Sequence, residues 1–412
     1  MINLSKSSLL IFLLLISAFQ LCAQPQQLQD KIVSGISADR LKRYETFIKK
    51  EIEQGNIPGA VTLIVRKGAV VHKNSFGYRN LAEKSPLKTD DLFYIQSMTK
   101  PIITVAFMML FEEGHFMLTY PVSKYIPAFK DLRVAKNVND GMKGETVPLE
   151  KEITIAHLLS HTSGLTHGLG STQLDKDFMN EYFMKSWPDI KSRVDAITKL
   201  PLVGQPGNQW YYSAAPDVLS ALIEQFSGMT TNDFLTERIF KPLGMKDTGY
   251  NLTKAQELRV VKLCAKNTEG ILAVSTNQPK MSGNTIWSGV NGLFSTASDY
   301  MTFSQMLMND GKWNGKQFLS RKTIELMTYN HAGKLFDRPG EGFGLGFAVL
   351  MDVAESKLLG SSGIYYWAGA FNTHFFIDPK EKLISIFMTQ EAPFTNFYHV
   401  KMRQMVYQAV VD

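Results

Sequence analysis

The sequence predicts a mixed α/β (α+β) fold, in which terminal helices flank one antiparallel sheet and a large helical lobe is inserted. Three observations support this prediction: β-rich runs near the N-terminus, further β-rich runs near the C-terminus, and a mainly helical stretch between them. Hydrophobic residues make up 44% of the 412 residues and charged residues 20%. The chain can therefore bury the core of an ordinary globular protein.

The N-terminus has the pattern of a secretory signal peptide. Lys6 precedes an apolar run over residues 9–18, and the small residue Ala23 precedes Gln24. A basic start, an apolar segment and a small residue at the cleavage site are typical of such peptides. We expect residues 1–23 to be removed and the mature protein, residues 24–412, to be periplasmic or secreted.

The two cysteines, Cys22 and Cys264, predict no disulfide within the mature chain. Cys22 could be lipidated, but residues 19–21 before it form a poor lipobox, so a lipoprotein is the less favoured alternative. After cleavage behind Ala23 only Cys264 remains. A single thiol cannot form an internal disulfide.

The first elements of the mature chain are a helix and a hairpin. Apolar residues at helical spacing, with charges between them, predict a surface helix over residues 38–54 that ends at Gly55. Two β-rich runs, 59–65 and 69–76, flank a short turn that contains Gly68. This arrangement is typical of a β-hairpin.

The middle of the chain is predicted to be mainly helical. Residues 121–150 mix Pro, Gly, Asn and Asp, which favours irregular structure. Periodic apolar residues predict the helices that follow, over residues 155–160, 187–200, 216–227 and 298–309.

Strand patterns return near the C-terminus, over residues 347–351, 370–377 and 383–388. A polar turn around Pro379 joins the last two as a hairpin, and an amphipathic helix covers residues 396–411. We therefore predict one domain over residues 24–412. Its α/β lobe covers about residues 28–95 and 300–412, and its helical lobe about residues 96–299.

Charge and hydropathy exclude two classes of protein. The net charge is +6, but the basic residues are scattered and form no basic-aromatic pattern, so we predict no nucleic-acid partner. No second apolar run reaches the length of a membrane span. We expect no transmembrane segment in the mature chain.

The strongest chemical signal is Ser97-Met98-Thr99-Lys100 at the start of a long apolar helix. Residues three apart on a helix are neighbours, so the lysine can supply the base that a serine nucleophile needs. The helix start also aims the Ser97 backbone N–H where an oxyanion would form. The alternative is a helix-capping serine with a solvated lysine. A second Ser-x-x-Lys, at Ser85, lies in a polar turn that fixes no such geometry.

Three segments resemble a known family, in the family's order: Ser97–Pro101, Ile153–Leu165 and Asn291–Tyr300. The chain resembles the serine β-lactamase and D-alanyl-D-alanine peptidase superfamily, most closely the branch of class C β-lactamases and related carboxylesterases, over nearly the whole mature chain. The resemblance implies a β-lactamase/transpeptidase-like fold. It also implies a serine hydrolase that forms an acyl-enzyme on Ser97 without a metal or an organic cofactor.

The family's Tyr-x-Asn motif is similar to Tyr212-Ser213-Ala214, with Tyr211 as the alternative if the register slips by one. The resemblance implies that Tyr212 shares proton transfer with Lys100. A phenol acts as a base only if a cation lowers its pKa, and Lys100 is expected to do so. Alternatively, Tyr212 only packs beside Trp210. The resemblance also assigns Ala214 to substrate binding. Ala214 replaces the asparagine that helps penicillin-recognising members hold the substrate's acylamide side chain, which puts β-lactam turnover in doubt.

The family's third motif, a Lys, His or Trp followed by any residue and Gly, is similar to Trp367-Ala368-Gly369, which a predicted hairpin follows. Trp287-Ser288-Gly289 and His331-Ala332-Gly333 also match the loose pattern. The resemblance implies that the backbone N–H of Ala370 is the second oxyanion donor. It also implies that Gly369 lets the strand approach the substrate closely.

Trp367 indicates which class of substrate the site accepts. A lysine at this position would contact a substrate carboxylate, and losing such a charge-assisted contact costs on the order of 1.5–3 kcal/mol. Tryptophan offers only a donor and an apolar face, so we expect uncharged acyl esters. The open alternatives are a β-lactamase or D-alanyl peptidase acting on lactams or cell-wall peptides, and a non-catalytic penicillin-binding-like protein. In each case the partner is a small-molecule ester, lactam or peptide.

A zinc site is the remaining chemical alternative. His157 and His161 stand four residues apart, as zinc ligands on a helix do. However, no Glu follows His157, as the metalloprotease motif requires. We predict no metal site.

Overall fold

The computed structural model describes residues 31–412. The predicted signal peptide, with Cys22, lies outside the described residues. Within residues 31–412, no helix is both long enough and apolar enough to cross a membrane.

An eight-stranded antiparallel sheet forms the centre of the fold. Its strands in chain order are β1 (Gly59–Arg66), β2 (Ala69–Asn80), β3 (Ser85–Pro86), β4 (Glu341–Phe343), β5 (Ala348–Leu350), β6 (Tyr365–Gly369), β7 (Thr373–Asp378) and β8 (Leu383–Met388). Across the sheet the order is β4-β5-β6-β7-β8-β1-β2-β3. The antiparallel sheet built from early and late strands is confirmed.

Strand β1 lies in the middle of this sheet. Its partner β8 pairs Leu383 with Arg66 at one end and Met388 with Val61 at the other. All eight residues of β1 are buried, because side chains that alternate between the two faces of the sheet meet a covering layer on each. The first and last parts of the described chain thus meet at the centre of the molecule.

Thirteen α-helices are described: α1 (Ala38–Glu53), α2 (Thr99–Glu112), α3 (Ile155–Leu159), α4 (Gln173–Phe178), α5 (Ile190–Ile197), α6 (Ala215–Ser227), α7 (Thr231–Leu235), α8 (Lys241–Leu243), α9 (Lys254–Glu257), α10 (Ala297–Met308), α11 (Arg321–Thr328), α12 (Val353–Ser356) and α13 (Asn396–Tyr407). Short strands outside the main sheet are Ile32–Val33, Ile36–Ser37, Phe93–Tyr94, Arg133–Ala135, Thr146–Pro148, Cys264–Lys266, Leu272–Val274, Phe294–Ser295, Lys312–Trp313, Lys316–Gln317 and Glu391–Ala392. Most helices lie between β3 and β4, as the predicted helical insertion requires.

Two hydrophobic layers cover the sheet. On one face, α1 and α13 pack their buried residues against Ile64 of β1 and Phe376 of β7. On the other face, Leu63 of β1 and Phe375 of β7 belong to a larger cluster that continues into α2, α6 and α10. The terminal helices therefore share one face, and the helix that follows Ser97 is buried on the other.

The structure corrects the predicted strand over residues 370–377. Residues 365–369 form the separate strand β6, and Ala370 lies in the turn before β7. Asn372 in this turn has a φ of 62°, a left-handed conformation that asparagine tolerates better than most residues. Tyr365, Tyr366 and Trp367 of β6 have high strand propensity, but the run ends in the small residues Ala368 and Gly369, and the prediction began the strand only at Ala370.

Candidate active site

Ser97 lies in a 3-10 turn, Gln96–Met98, that leads directly into α2. Gln96 has a φ of 48°, so the chain bends sharply just before the serine. The Tyr300 hydroxyl donates to the Met98 carbonyl at 3.0 Å, which ties the turn to α10. The serine thus lies directly before the buried helix α2.

Lys100 reaches back to Ser97, as the motif predicts. Its Nζ lies 3.1 Å from Ser97 Oγ and donates to the Val290 carbonyl oxygen at 2.9 Å. Its side chain is 2% exposed. Burial lowers the pKa of Lys100 to about 7, although the nearby charge of Asp217 acts in the opposite direction. The amine can therefore lose its proton near neutral pH and serve as a base.

Tyr212 lies beside this pair, and Lys100 Nζ is 4.6 Å from the centroid of its ring. The expectation that Lys100 lowers the pKa of Tyr212 was wrong, because burial raises this pKa well above its usual value. The side chains of Ser97 and Trp367 oppose that rise. Within the described chain, the Tyr212 hydroxyl has no hydrogen-bond partner of good geometry. The phenol is therefore protonated at neutral pH and free to donate to a bound molecule.

Aromatic rings fix the orientation of Tyr212. Ring centroids lie 5.1 Å away for His161, 5.1 Å for His167, 6.2 Å for Trp210 and 5.5 Å for Trp367. The His167 ring is nearly parallel to the phenol, at 5°. Burial and the charge of Lys100 hold the pKa values of both histidines well below the usual range. They are neutral and form a packed wall around the phenol.

The end of strand β6 forms the second wall of the site. A Cβ added to Gly369 would lie 2.3 Å from the Ile95 carbonyl oxygen and 2.3 Å from Thr373 Oγ1. The close approach predicted for Gly369 is thus an approach to the chain just before Ser97. Ala370 lies in the turn that follows and lines the same cavity as Ser97, which is consistent with its predicted role as an amide donor.

Replacing Gly369 with alanine should therefore separate this wall from Ser97. We expect a loss of about 1–3 kcal/mol in the free energy of unfolding and a lower kcat, measured by thermal denaturation and ester turnover. Gly249→Ala is the matched control, because its added Cβ would be 3.7 Å from its nearest neighbour, the Asn251 carbonyl oxygen. Equal effects of the two substitutions would contradict the assigned approach.

A cavity of about 300 Å³ opens over Ser97. Its lining residues are Ser97, Leu169, Trp210, Tyr212, Arg338, Tyr366, Trp367, Ala368, Gly369, Ala370, Phe394, Asn396 and His399. Ala214 is not among them; it is fully buried, and its amide donates to the Thr166 carbonyl at 3.0 Å. The structure therefore corrects the assignment of Ala214 as a residue that touches substrate.

The alternative candidates make contacts that explain them without catalysis or a metal. The Tyr211 hydroxyl donates to Asp175 at 2.9 Å, so it does not compete with Tyr212. His157 caps the start of α3 through Thr154, whereas His161 binds the Ser213 hydroxyl at 2.8 Å. Across residues 31–412, no three His, Cys, Asp or Glu side chains are grouped as metal ligands.

Two parts of the site were not predicted from the sequence. The Val290 carbonyl bound by Lys100 is a backbone atom, so no residue pattern marks it. Asp217 is fully buried two residues into α6 and accepts hydrogen bonds from Ser288 and Val290. The Trp287-Ser288-Gly289 motif, an alternative for the third family motif, belongs to this supporting segment.

Comparison with known proteins identifies the family and the fold of this chain. The model of the Beta-lactamase family matches residues 44–406. Protein Rv1367c of Mycobacterium tuberculosis (strain ATCC 25618 / H37Rv) is 31% identical over 366 residues, covering 85% of this chain and 90% of that protein. Esterase EstB of Burkholderia gladioli is 25% identical, covering 86% and 92%. The structure of "EstCE1, a hydrolase with promiscuous acyltransferase activity" has a TM-score of 0.77 and 26% identity, covering 90% and 99%.

Proposed function

Because this chain belongs to the β-lactamase family and has the family's serine-hydrolase fold, we propose that it hydrolyses uncharged acyl esters through an acyl-enzyme on Ser97. One observation carries the proposal: the Lys100 amine, with a pKa of about 7, lies 3.1 Å from the Ser97 hydroxyl at the base of a cavity. A buried amine that is partly neutral can activate this hydroxyl, which is a weak nucleophile otherwise.

Acylation uses the side chains of Ser97, Lys100 and Tyr212 and two backbone amides. Lys100 Nζ accepts the Ser97 proton while Oγ forms a bond to the ester carbonyl carbon. The backbone amides of Ser97 and Ala370 stabilise the resulting oxyanion. The C–O bond to the alcohol then breaks, and the alcohol oxygen takes a proton from the Tyr212 hydroxyl, which Lys100 reprotonates.

Deacylation repeats these steps with water. The neutral Lys100 amine removes a proton from a water molecule as its oxygen attacks the acyl carbon. Collapse of the second oxyanion releases a carboxylic acid and returns the proton to Ser97 Oγ. Each step therefore moves one proton among Ser97, Lys100, Tyr212, the substrate and water.

The cavity supports an uncharged substrate. Trp367 occupies the position where a lysine would attract a carboxylate, and Leu169 and Phe394 add apolar surface. Arg338 also lines the cavity. Its guanidinium already has partners in the protein, because it lies over the Phe336 ring and 3.9 Å from the Glu341 carboxylate. The pKa of His399 is lowered well below its usual value by burial and nearby cations, so this side chain is neutral. Similarity to Esterase EstB agrees with an ester substrate.

The test compares the purified protein with Ser97→Ala on p-nitrophenyl butyrate and on nitrocefin. We expect ester turnover that the substitution abolishes, little nitrocefin hydrolysis, and a fluorophosphonate label on Ser97 found by peptide mapping. Efficient nitrocefin turnover would favour the β-lactamase or peptidase alternative. No turnover and no label would favour a non-catalytic binding protein.

We also propose that the enzyme acts outside the cytoplasm. This proposal depends only on the signal-peptide pattern of residues 1–23. The mass of the protein isolated from its natural compartment should correspond to a chain that begins at Gln24. An intact chain retained in the cytoplasm would contradict the proposal.

A further inference from the structure

Asp217 is a buried carboxylate that the proposed reaction does not use. One oxygen, Oδ1, accepts hydrogen bonds from the Ser288 hydroxyl at 2.5 Å and from the Val290 amide at 3.1 Å. The other, Oδ2, accepts from the Tyr182 hydroxyl at 2.5 Å and lies 3.3 Å from Arg193 Nε. A buried charge with this many partners is fixed in position.

The two Oδ1 contacts hold the segment from Ser288 to Val290 against the start of α6. A Cβ on Gly289 would lie 2.0 Å from the Pro216 carbonyl oxygen, so the segment and the helix are in direct contact. The Tyr250 hydroxyl also donates to the Ser288 carbonyl at 2.7 Å. The position of the Val290 carbonyl is therefore set by groups outside its own segment.

The Val290 carbonyl determines the orientation of the Lys100 amine. A carbonyl oxygen can only accept, so Lys100 must direct one N–H at Val290. In a neutral amine with one N–H so engaged, the lone pair can face the Ser97 hydroxyl. A shift of the Val290 carbonyl would turn the lone pair away and lower the efficiency of proton transfer.

We infer that Asp217 is a positioning residue, which fixes the Ser288–Val290 segment so that the Val290 carbonyl orients Lys100 toward Ser97. The inference rests on the proposed function and adds to it a residue that acts on the base without touching substrate.

The charge of Asp217 provides a separate readout. It raises the pKa of Lys100 against the effect of burial. The other titratable or charged groups that face Lys100 are Tyr212, His161 and His167, with Arg193 beyond Asp217; the phenol and both imidazoles are neutral. Removing the carboxylate charge should therefore lower the pKa of Lys100 further.

The test is Asp217→Asn in the full protein, with kcat/KM for p-nitrophenyl butyrate measured from pH 5 to 9. We expect the acid limb, where Lys100 gains its proton, to move to lower pH by about one unit, and kcat on the plateau to fall about tenfold. A substitution that only loosened the fold would lower activity without moving the limb.

Ser288→Ala and Tyr182→Phe form a matched pair, because each deletes one hydroxyl bonded to Asp217. We expect Ser288→Ala to lower kcat more than Tyr182→Phe, since only Ser288 lies in the segment that orients Lys100. The pair also keeps the test valid if Asp217→Asn, which leaves Arg193 without its counter-charge, fails to fold.

Two results would overturn the inference: an Asp217→Asn profile identical to that of the wild type, or a larger loss for Tyr182→Phe than for Ser288→Ala. If the wild type is active, either result would leave the proposed function as an ester hydrolase unaffected. An inactive wild type that takes no label at Ser97 would instead overturn the proposed function.

Discussion

Lys100→Met should lower kcat/KM for an acyl ester by about 10²–10⁴, the usual contribution of a positioned general base. Methionine fills much of the same volume but cannot accept the Ser97 proton. The substitution removes the Nζ contacts to Ser97 Oγ and to the Val290 carbonyl. Steady-state kinetics with p-nitrophenyl butyrate would measure the loss.

The wild type should show the matching pH dependence. Only the neutral amine can accept a proton, and its pKa is about 7. The value of kcat/KM should therefore rise with pH up to about 7 and then level off. Lys100→Arg is the control for charge, because a guanidinium keeps the positive charge but does not lose its proton at these pH values. An active Lys100→Arg enzyme would show that this residue is not the base.

A measurement of thermal stability shows whether Lys100→Met loses activity because the base is missing or because the protein has unfolded. Because the pKa of Lys100 is lower in the folded protein than the usual lysine value of 10.5, the unfolded chain binds more protons between about pH 7 and 10. Folding stability is thereby reduced at pH 7 and recovers as the pH rises through this window. Lys100→Met removes this cost, so its Tm at pH 7 should not fall below that of the wild type. A large fall in Tm would contradict this assignment.

Tyr212→Phe should lower kcat by about 10² or more for an alkyl ester. The pKa of Tyr212 is raised by burial, so its hydroxyl can donate to the departing alcohol oxygen. Phenylalanine retains the ring that stacks on His167 and lies under Lys100. The substitution therefore removes one oxygen and leaves the packing in place.

The leaving group provides the decisive measurement for Tyr212. A p-nitrophenolate leaves without a proton, whereas an alkoxide needs one. Tyr212→Phe should therefore impair an ethyl ester more than a p-nitrophenyl ester of the same acid. Tyr211→Phe, which deletes a hydroxyl bonded to Asp175, is the control and should affect both esters equally. Equal losses in Tyr212→Phe would rule out proton donation to the leaving group.

The parts of the site that follow from the sequence are those encoded locally. Ser97 and Lys100 are adjacent because three residues on a helix make nearly one turn, so their contact follows from the motif. The antiparallel sheet follows from alternating β-rich runs at both ends of the chain. Tyr212 follows from the resemblance to a family motif.

The parts that the sequence did not indicate depend on folding through space. Burial reversed the predicted pKa shift of Tyr212, and burial is a property of the assembled core. Asp217 meets Ser288 and Val290 across a long separation in the chain, and the boundary between β6 and β7 is set by the pairing of these two strands. Ala214 seemed a substrate contact from its motif position, but helix α6 begins there and packs it inside.

The close contact of Gly369 with Ile95 has a consequence for how the protein folds during its synthesis. Ser97 and Lys100 are synthesised more than 250 residues before β6, the strand that completes their site. Strand β1 likewise waits for β8 before it is paired on both sides. Folding that depends on contacts between such distant segments is slow. A partly made chain that lacks β6 would thus carry both reactive side chains before the second wall of the site has formed around them.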